Sequence, residues 1–150
     1  MIVMVVDKVM WLSRYGELAD KMKWLAKQIK GCEAIASSAS TLKFDHVVGK
    51  SNRSTEAPFE QWIIRKVDYE KQLEELKPQA EKVMQETTDA ISRVCDYELE
   101  AVLVNRYVHC LSWAKIGSLI YLSSTQVRRL HDKAIEKFQV PNEKRQGTAR

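Results

Sequence analysis

The chain has 150 residues, 45% apolar and 29% charged, which allows one domain or two small ones with an ordinary hydrophobic core. Only 5 glycines and 3 prolines punctuate it, so a turn-rich β fold is disfavoured and helix is expected. The net charge is only +4, but an acidic middle (6 basic against 12 acidic side chains in residues 56–100) separates two basic ends. Residues 1–55 hold 9 basic and 5 acidic groups and residues 123–150 hold 7 and 3; a basic end is what a nucleic-acid contact requires.

The opening MIVMVV, Met1–Val6, is apolar but too short for a signal sequence, and Asp7 follows it. No run approaches the ~18 apolar residues of a membrane helix, so a cytoplasmic protein without membrane contact is expected. From Asp7 to Cys32, the residues Trp11, Tyr15, Leu18, Met22, Leu25, Ile29 and Cys32 recur at steps of four and three, the seam of a coiled coil. Gly31 follows Lys27 and Lys30 and is placed to end that helix.

Between residues 33 and 57 the period is lost. The stretch ASSASTLKFDHVVGKSNRSTEAP, Ala36–Pro58, reads as a loop of about twenty residues, with Ser40–Val48 as a short extended piece. A second seam then runs through Phe59, Trp62, Tyr69, Leu73, Leu76, Ala80, Val83, Thr87, Ala90 and Val94, with Lys66 at one seam position. Pro78 lies inside it, yet the phase carries across, so one kinked helix is expected. Two such helices predict an antiparallel hairpin over residues 1–94, serving as core and as a face for a second subunit.

The spacing turns globular from Tyr97. YELEAVLVNRYV places Leu99, Val102, Leu103 and Tyr107 on one face, and HCLS breaks the pattern. Ser112 can cap a short helix, WAKIGSLI, with Trp113, Ile116 and Ile120 inward. Gly117 offers room for a close crossing. Next comes LSSTQVRRLHDKAIEKF, Leu122–Phe138, where Ser123 and Gln126 make the S-x-x-Q capping box. Val127, Leu130, Ala134 and Phe138 share the inner side. Thr125, Arg129, Asp132 and Glu136 point the other way, flanked by Arg128 and Lys133, with His131 at the apolar edge. These helices predict a helix-turn-helix over residues 95–140, followed by a basic tail, 141–150, carrying Lys144, Arg145 and Arg150.

Each piece has an ordinary structural role beside the functional one. Arg128 and Asp132 are spaced to pair on a solvated surface, and Trp113 and His131 are spaced to pack. Capping box, short turn, paired arginines and local positive charge together carry the DNA reading. No cofactor is expected. His46, His109 and His131 stand at no ligand spacing with Cys32, Cys95 and Cys110, which read as reduced thiols. Nor does the sequence hold a nucleophile–base phrase or a phosphate loop, so an enzyme is not expected.

Tyr97–Phe138 resembles region 4 of sigma-70-type factors in Arg106-Tyr107, Ser112-Trp113, Ile116-Gly117, Ser123, Val127-Arg128, Leu130 and Ala134-Ile135. The whole chain resembles the ArpU-type transcriptional regulators of phages and prophages, through AIASSAS (Ala34–Ser40) and RKVDYEKQLEEL (Arg65–Leu76) as well as the helix-turn-helix. The resemblance implies an all-α fold and a sequence-specific regulator of double-stranded DNA, an activator of phage genes in the cytoplasm of a bacterial host. Ser124, Thr125, Gln126, Arg128 and Arg129 would then face bases or phosphates, with Lys133 adding a further cation. Gln126 can pair bidentately with adenine. Ser124-Thr125-Gln126 stands where sigma factors often carry R-E-R, so a different operator is expected. The chain also lacks the aromatic-rich module with which complete sigma factors melt promoters. The N-terminal helices would mediate homodimerisation or contact with host RNA polymerase. Two alternatives stay open: a small DNA-packaging subunit, and a coiled-coil adaptor whose helix-turn-helix does not bind DNA.

Overall fold

A computed structural model describes residues 2–45 and 56–141, and its regular elements are all helical. They are α1 (Ile2–Leu12), α2 (Arg14–Asp45), α3 (Glu56–Ser92), α4 (Tyr97–Leu103), a π-helical turn (Val104–Val108), α5 (Trp113–Ile120) and α6 (Ser124–Lys137). The fold is all-α. Its chain divides into two compact units, Leu18–Gln79 on one hand and Met1–Glu17 with Ala80–Arg150 on the other.

Within Leu18–Gln79, α2 and α3 run antiparallel. Trp24 packs edge-on against Tyr69, with ring centroids 5.7 Å apart, while Glu33 pairs with Lys66 at 3.3 Å. Rising numbers on one helix thus meet falling numbers on the other. Leu25, Cys32 and Leu76 are buried, as their seam positions predict. Lys66 sits at its seam position by bridging Glu33 and, at 3.7 Å, Glu70, so the charge is not stranded. The helix α3 passes Pro78 without a break.

The expected loop over 33–57 is largely helix. α2 continues through Gly31 to Asp45 and α3 begins at Glu56; residues 46–55, and with them much of the expected loop, lie outside the described residues. The extended piece expected from Ser40 is helical up to Asp45. The physical reason is permissive local chemistry. No proline or glycine lies between Glu33 and Asp45, and Ser and Thr in a helix cost no more than ~0.7 kcal/mol each relative to Ala. A lost apolar period reports lost burial, not lost helix.

The second unit has a core drawn from both ends of the sequence. Leu12 of α1, Ala90 and Ile91 of α3, Leu99 and Leu103 of α4, Tyr107, and Ala134, Ile135 and Phe138 form one buried cluster. Val102, Ile116 and Val127 form a second. The helix-turn-helix expected over 95–140 therefore shares its core with residues outside that range. Lys8 of α1 donates to the carbonyls of Ile135 at 2.9 Å and Glu136 at 3.4 Å, capping the C-terminal end of α6 with a cation. Trp11 stacks on Phe138 with centroids 5.6 Å apart. Asp96 caps α4 by accepting from the N–H groups of Glu98 and Leu99. The expected break at HCLS, His109–Ser112, is non-helical as predicted; it follows the π-helical turn and holds Cys110 in the left-handed region (φ 55°). The expected basic tail, with Lys144, Arg145 and Arg150, lies outside the described residues.

Gly117 makes its close approach to the turn backbone of Leu122. A Cβ there would overlap the Leu122 carbonyl oxygen, which has no room to retreat because Leu122 N–H donates back to Gly117 O at 2.9 Å. At Gly31 a Cβ would meet nothing within 4 Å. The two glycines therefore predict opposite signs in urea or thermal unfolding. Gly117→Ala should destabilise by about 1–3 kcal/mol as an overpacked site. Gly31→Ala should stabilise by about 0.5–1 kcal/mol by restoring helix propensity.

Candidate nucleic-acid interface

The α5–α6 pair owes its geometry to two serine caps and one left-handed residue. Ser112 accepts from the N–H of Lys115 and starts α5; Tyr121 (φ 60°, ψ 39°) ends it, with its N–H directed to Gly117 O. Two residues later Ser123 starts α6 by accepting from the Gln126 N–H at 3.2 Å. The Gln126 carboxamide oxygen accepts from Ser123 N–H at 2.9 Å and from the Ser123 hydroxyl at 3.2 Å, completing the reciprocal capping box. Such a cap contributes about 0.5–2 kcal/mol and fixes where α6 begins.

One side of α6 is spent on holding it. Val127, Ala134, Ile135 and the following Phe138 are buried, and Leu130 is half-buried. His131, expected only to pack at the apolar edge, joins the holding side through a polar and aromatic cluster. Tyr107 O–H bonds His131 Nε2 at 2.6 Å, and the Trp113 ring stands edge-on to the imidazole with centroids 4.8 Å apart. The Arg106 guanidinium covers the other aromatic surface, 4.1 Å from the Trp113 centroid, and donates to Leu111 O at 3.0 Å. The π-helical turn, α5 and α6 are locked together at this point. Three of its four side chains, Arg106, Tyr107 and Trp113, belong to the motif pairs visible in the sequence; the signal that adds His131 is its place at the edge of the apolar stripe.

The other side of α6 is open. Thr125, Gln126, Arg128, Arg129 and Lys133 are exposed, and Ser124 is half-buried. Thr125, Arg129 and Lys133 follow one another at four-residue steps and form a stripe, with Gln126 and Arg128 flanking it. The expected set is thus brought together, with Ser124 set back. Arg128 does not pair with Asp132, whose nearest basic atom is His131 Nδ1 at 3.7 Å; among the described residues no ion pair engages Arg128, Arg129 or Lys133. No acidic residue occurs from Ser124 to His131, so the N-terminal half of α6 is purely cationic. Such a face attracts an anionic polymer and can meet its phosphates. Among the described residues no group of three or more His, Cys, Asp or Glu is placed to hold a metal ion, and no helix is long and apolar enough to cross a membrane.

Burial lowers the His131 pKa from its ordinary 6.5 and outweighs the nearby Asp132 carboxylate, while the Arg106 guanidinium lowers it further. Burial also raises the Tyr107 pKa above 10.0, against the opposing pull of Arg106. Both shifts favour the neutral pair in the folded state. A lowered folded pKa at His131 means that the unfolded chain takes the proton first, so this stabilisation is present above about pH 6.5 and fades as pH falls below it. The raised Tyr107 pKa gives the mirror-image loss above about pH 10. Thermal melts should therefore show Tm falling from pH 7.5 to pH 5, with a shallower slope in His131→Gln; an equal slope in both proteins would remove His131 from this role. In comparison with known proteins, no family, no curated protein and no solved structure matches this chain.

Proposed function

We propose that the chain is a sequence-specific double-stranded-DNA-binding transcriptional regulator whose α6 enters the major groove, in line with its resemblance to ArpU-type phage and prophage regulators. The observation that carries the reading is the outward face of α6: Arg128, Arg129 and Lys133 stand exposed without an acidic partner among the described residues, at the end of a rigidly capped helix. Asp132 stands one turn away from Arg128 without pairing with it, so the arginine is left available to an anionic partner. In this role Thr125 and Gln126 face base edges, the two arginines and Lys133 contact phosphate or guanine, and the N–H groups at the start of α6 add to the attraction for phosphate.

Homodimerisation through the Leu18–Gln79 unit belongs to the same proposal. Trp24, Ile35, Ile63, Ile64 and Val67 are large apolar side chains left exposed there, with Ile64 60% accessible. A dimer also supplies the two half-site contacts with which helix-turn-helix proteins commonly read DNA. For contact with a bacterial RNA polymerase, the exposed Leu119 and Tyr121 beside the α5–α6 turn offer an apolar surface.

Salt-titrated fluorescence anisotropy on duplexes from the gene's own neighbourhood tests the reading. Binding should weaken steeply with salt. Arg128→Ala/Arg129→Ala should cost about 1–3 kcal/mol for each specific base contact removed, and should flatten the salt slope by about 1 for each phosphate no longer neutralised. Binding that is absent at low salt, or indifferent to the double substitution, contradicts it. Light scattering should give twice the chain mass for the unsubstituted protein and a shift toward the single mass for Ile64→Glu.

A further inference from the structure

Gln126 closes the first turn of α6 and also stands on its exposed face, and the first duty restricts the second. Its Oε1 receives both the Ser123 N–H, at 2.9 Å, and the Ser123 hydroxyl, at 3.2 Å. A carboxamide oxygen has two lone pairs, and two donors fill them. The orientation of the amide is fixed by chemistry: a backbone N–H can only donate, so the Gln126 atom facing it must be the oxygen. Nε2, with two hydrogens, is left as the group available to a ligand, and it makes no hydrogen bond among the described residues.

We propose, resting on the DNA-binding reading above, that Gln126 reads base edges as a donor only and selects guanine. The bidentate pairing of glutamine with adenine needs an acceptor for the adenine N6 amine as well as a donor for N7. Oε1 is that acceptor, and turning it to a base would strip Ser123 N–H of its partner and open the turn that sets α6 in place. Guanine presents two adjacent acceptors, O6 and N7, to the two hydrogens of Nε2. Adenine offers N7 beside a competing donor, thymine offers O4 alone, and cytosine presents a donor. The capping box thereby converts an adenine-reading side chain into a guanine-reading one.

The test enriches duplexes bound by the full chain from a randomised pool, then varies the preferred site one base pair at a time in anisotropy with the unsubstituted protein and Gln126→Glu. Glutamate keeps an oxygen for Ser123 and replaces the donors by a second acceptor; circular dichroism and melting verify that the cap survives. The expected result is one base pair where the unsubstituted protein prefers guanine by about five- to hundredfold. At that position 7-deazaguanine weakens binding, and Gln126→Glu abolishes the preference or moves it to cytosine. An adenine preference there, erased by Gln126→Glu, would overturn the proposal by showing that the cap yields to a bidentate pair. Identical base preferences in both proteins would overturn it by showing that Gln126 faces no base. If the unsubstituted protein binds no duplex at low salt, the DNA reading itself falls and takes this role with it.

Discussion

Gly117 and Leu122 are tied to each other twice over, and the placement of α6 follows from that knot. The Gly117 carbonyl receives N–H groups from Tyr121 and Leu122, while the Leu122 carbonyl lies where any side chain at 117 would begin. To close this way the chain holds Tyr121 in the left-handed region, at a cost on the order of 1–3 kcal/mol for a residue other than glycine. The return is direction. Ser123 leaves the knot extended, caps α6, and sends Val127 into the pocket made with Val102 and Ile116. A looser turn would still permit two helices, but not one fixed angle between them, and the direction in which the exposed face of α6 points depends on that angle.

The remainder of the unit clamps α6 at its middle and at its C-terminal end. Near its middle, Tyr107 and Trp113 grip His131 from the π-helical turn and α5, with Arg106 stacked outside. At its C-terminal end, Lys8 satisfies the last carbonyls and Trp11 covers Phe138. These are interactions with α1, far away in sequence, so a fragment that began at residue 95 would lose them together with Leu12, Ala90 and Ile91 from the shared core. The work on α6 is divided by face. Val127, His131, Ala134 and Ile135 hold the helix, while Thr125, Arg128, Arg129 and Lys133 are uncommitted, and Gln126 belongs to both groups.

Local chemistry is legible in the sequence. The α5 bounds, Ser112 and Ser123 as caps, the Gln126 reciprocal bond and the burial of Val127, Ala134 and Phe138 all follow from short-range rules, because caps and apolar stripes act within one or two turns. Long-range arrangement is not. Nothing in MIVMVV says that Lys8 will reach α6, or that Leu12, one residue beside the seam residue Trp11, will be the buried one. The helix from Glu33 to Asp45 is invisible to apolar spacing because that spacing marks buried faces, and the segment is mostly exposed as far as its side chains are described. Of the site, the residue types are plain in the sequence, but the Arg128–Asp132 pair that does not form and the saturated Gln126 oxygen emerge only in three dimensions.

If the open face of α6 is where this protein meets DNA, a bound duplex must perturb that face and spare the rest of the helix. Amide and arginine side-chain shift mapping by NMR, with the full chain titrated by a short duplex, addresses this most directly. The largest changes should fall on Ser124, Thr125, Gln126, Arg128, Arg129 and Lys133, with little change in the buried Val127, Ala134 and Ile135 of the same helix. Changes confined to residues 18–79, or none at all in conditions of low salt, would contradict it.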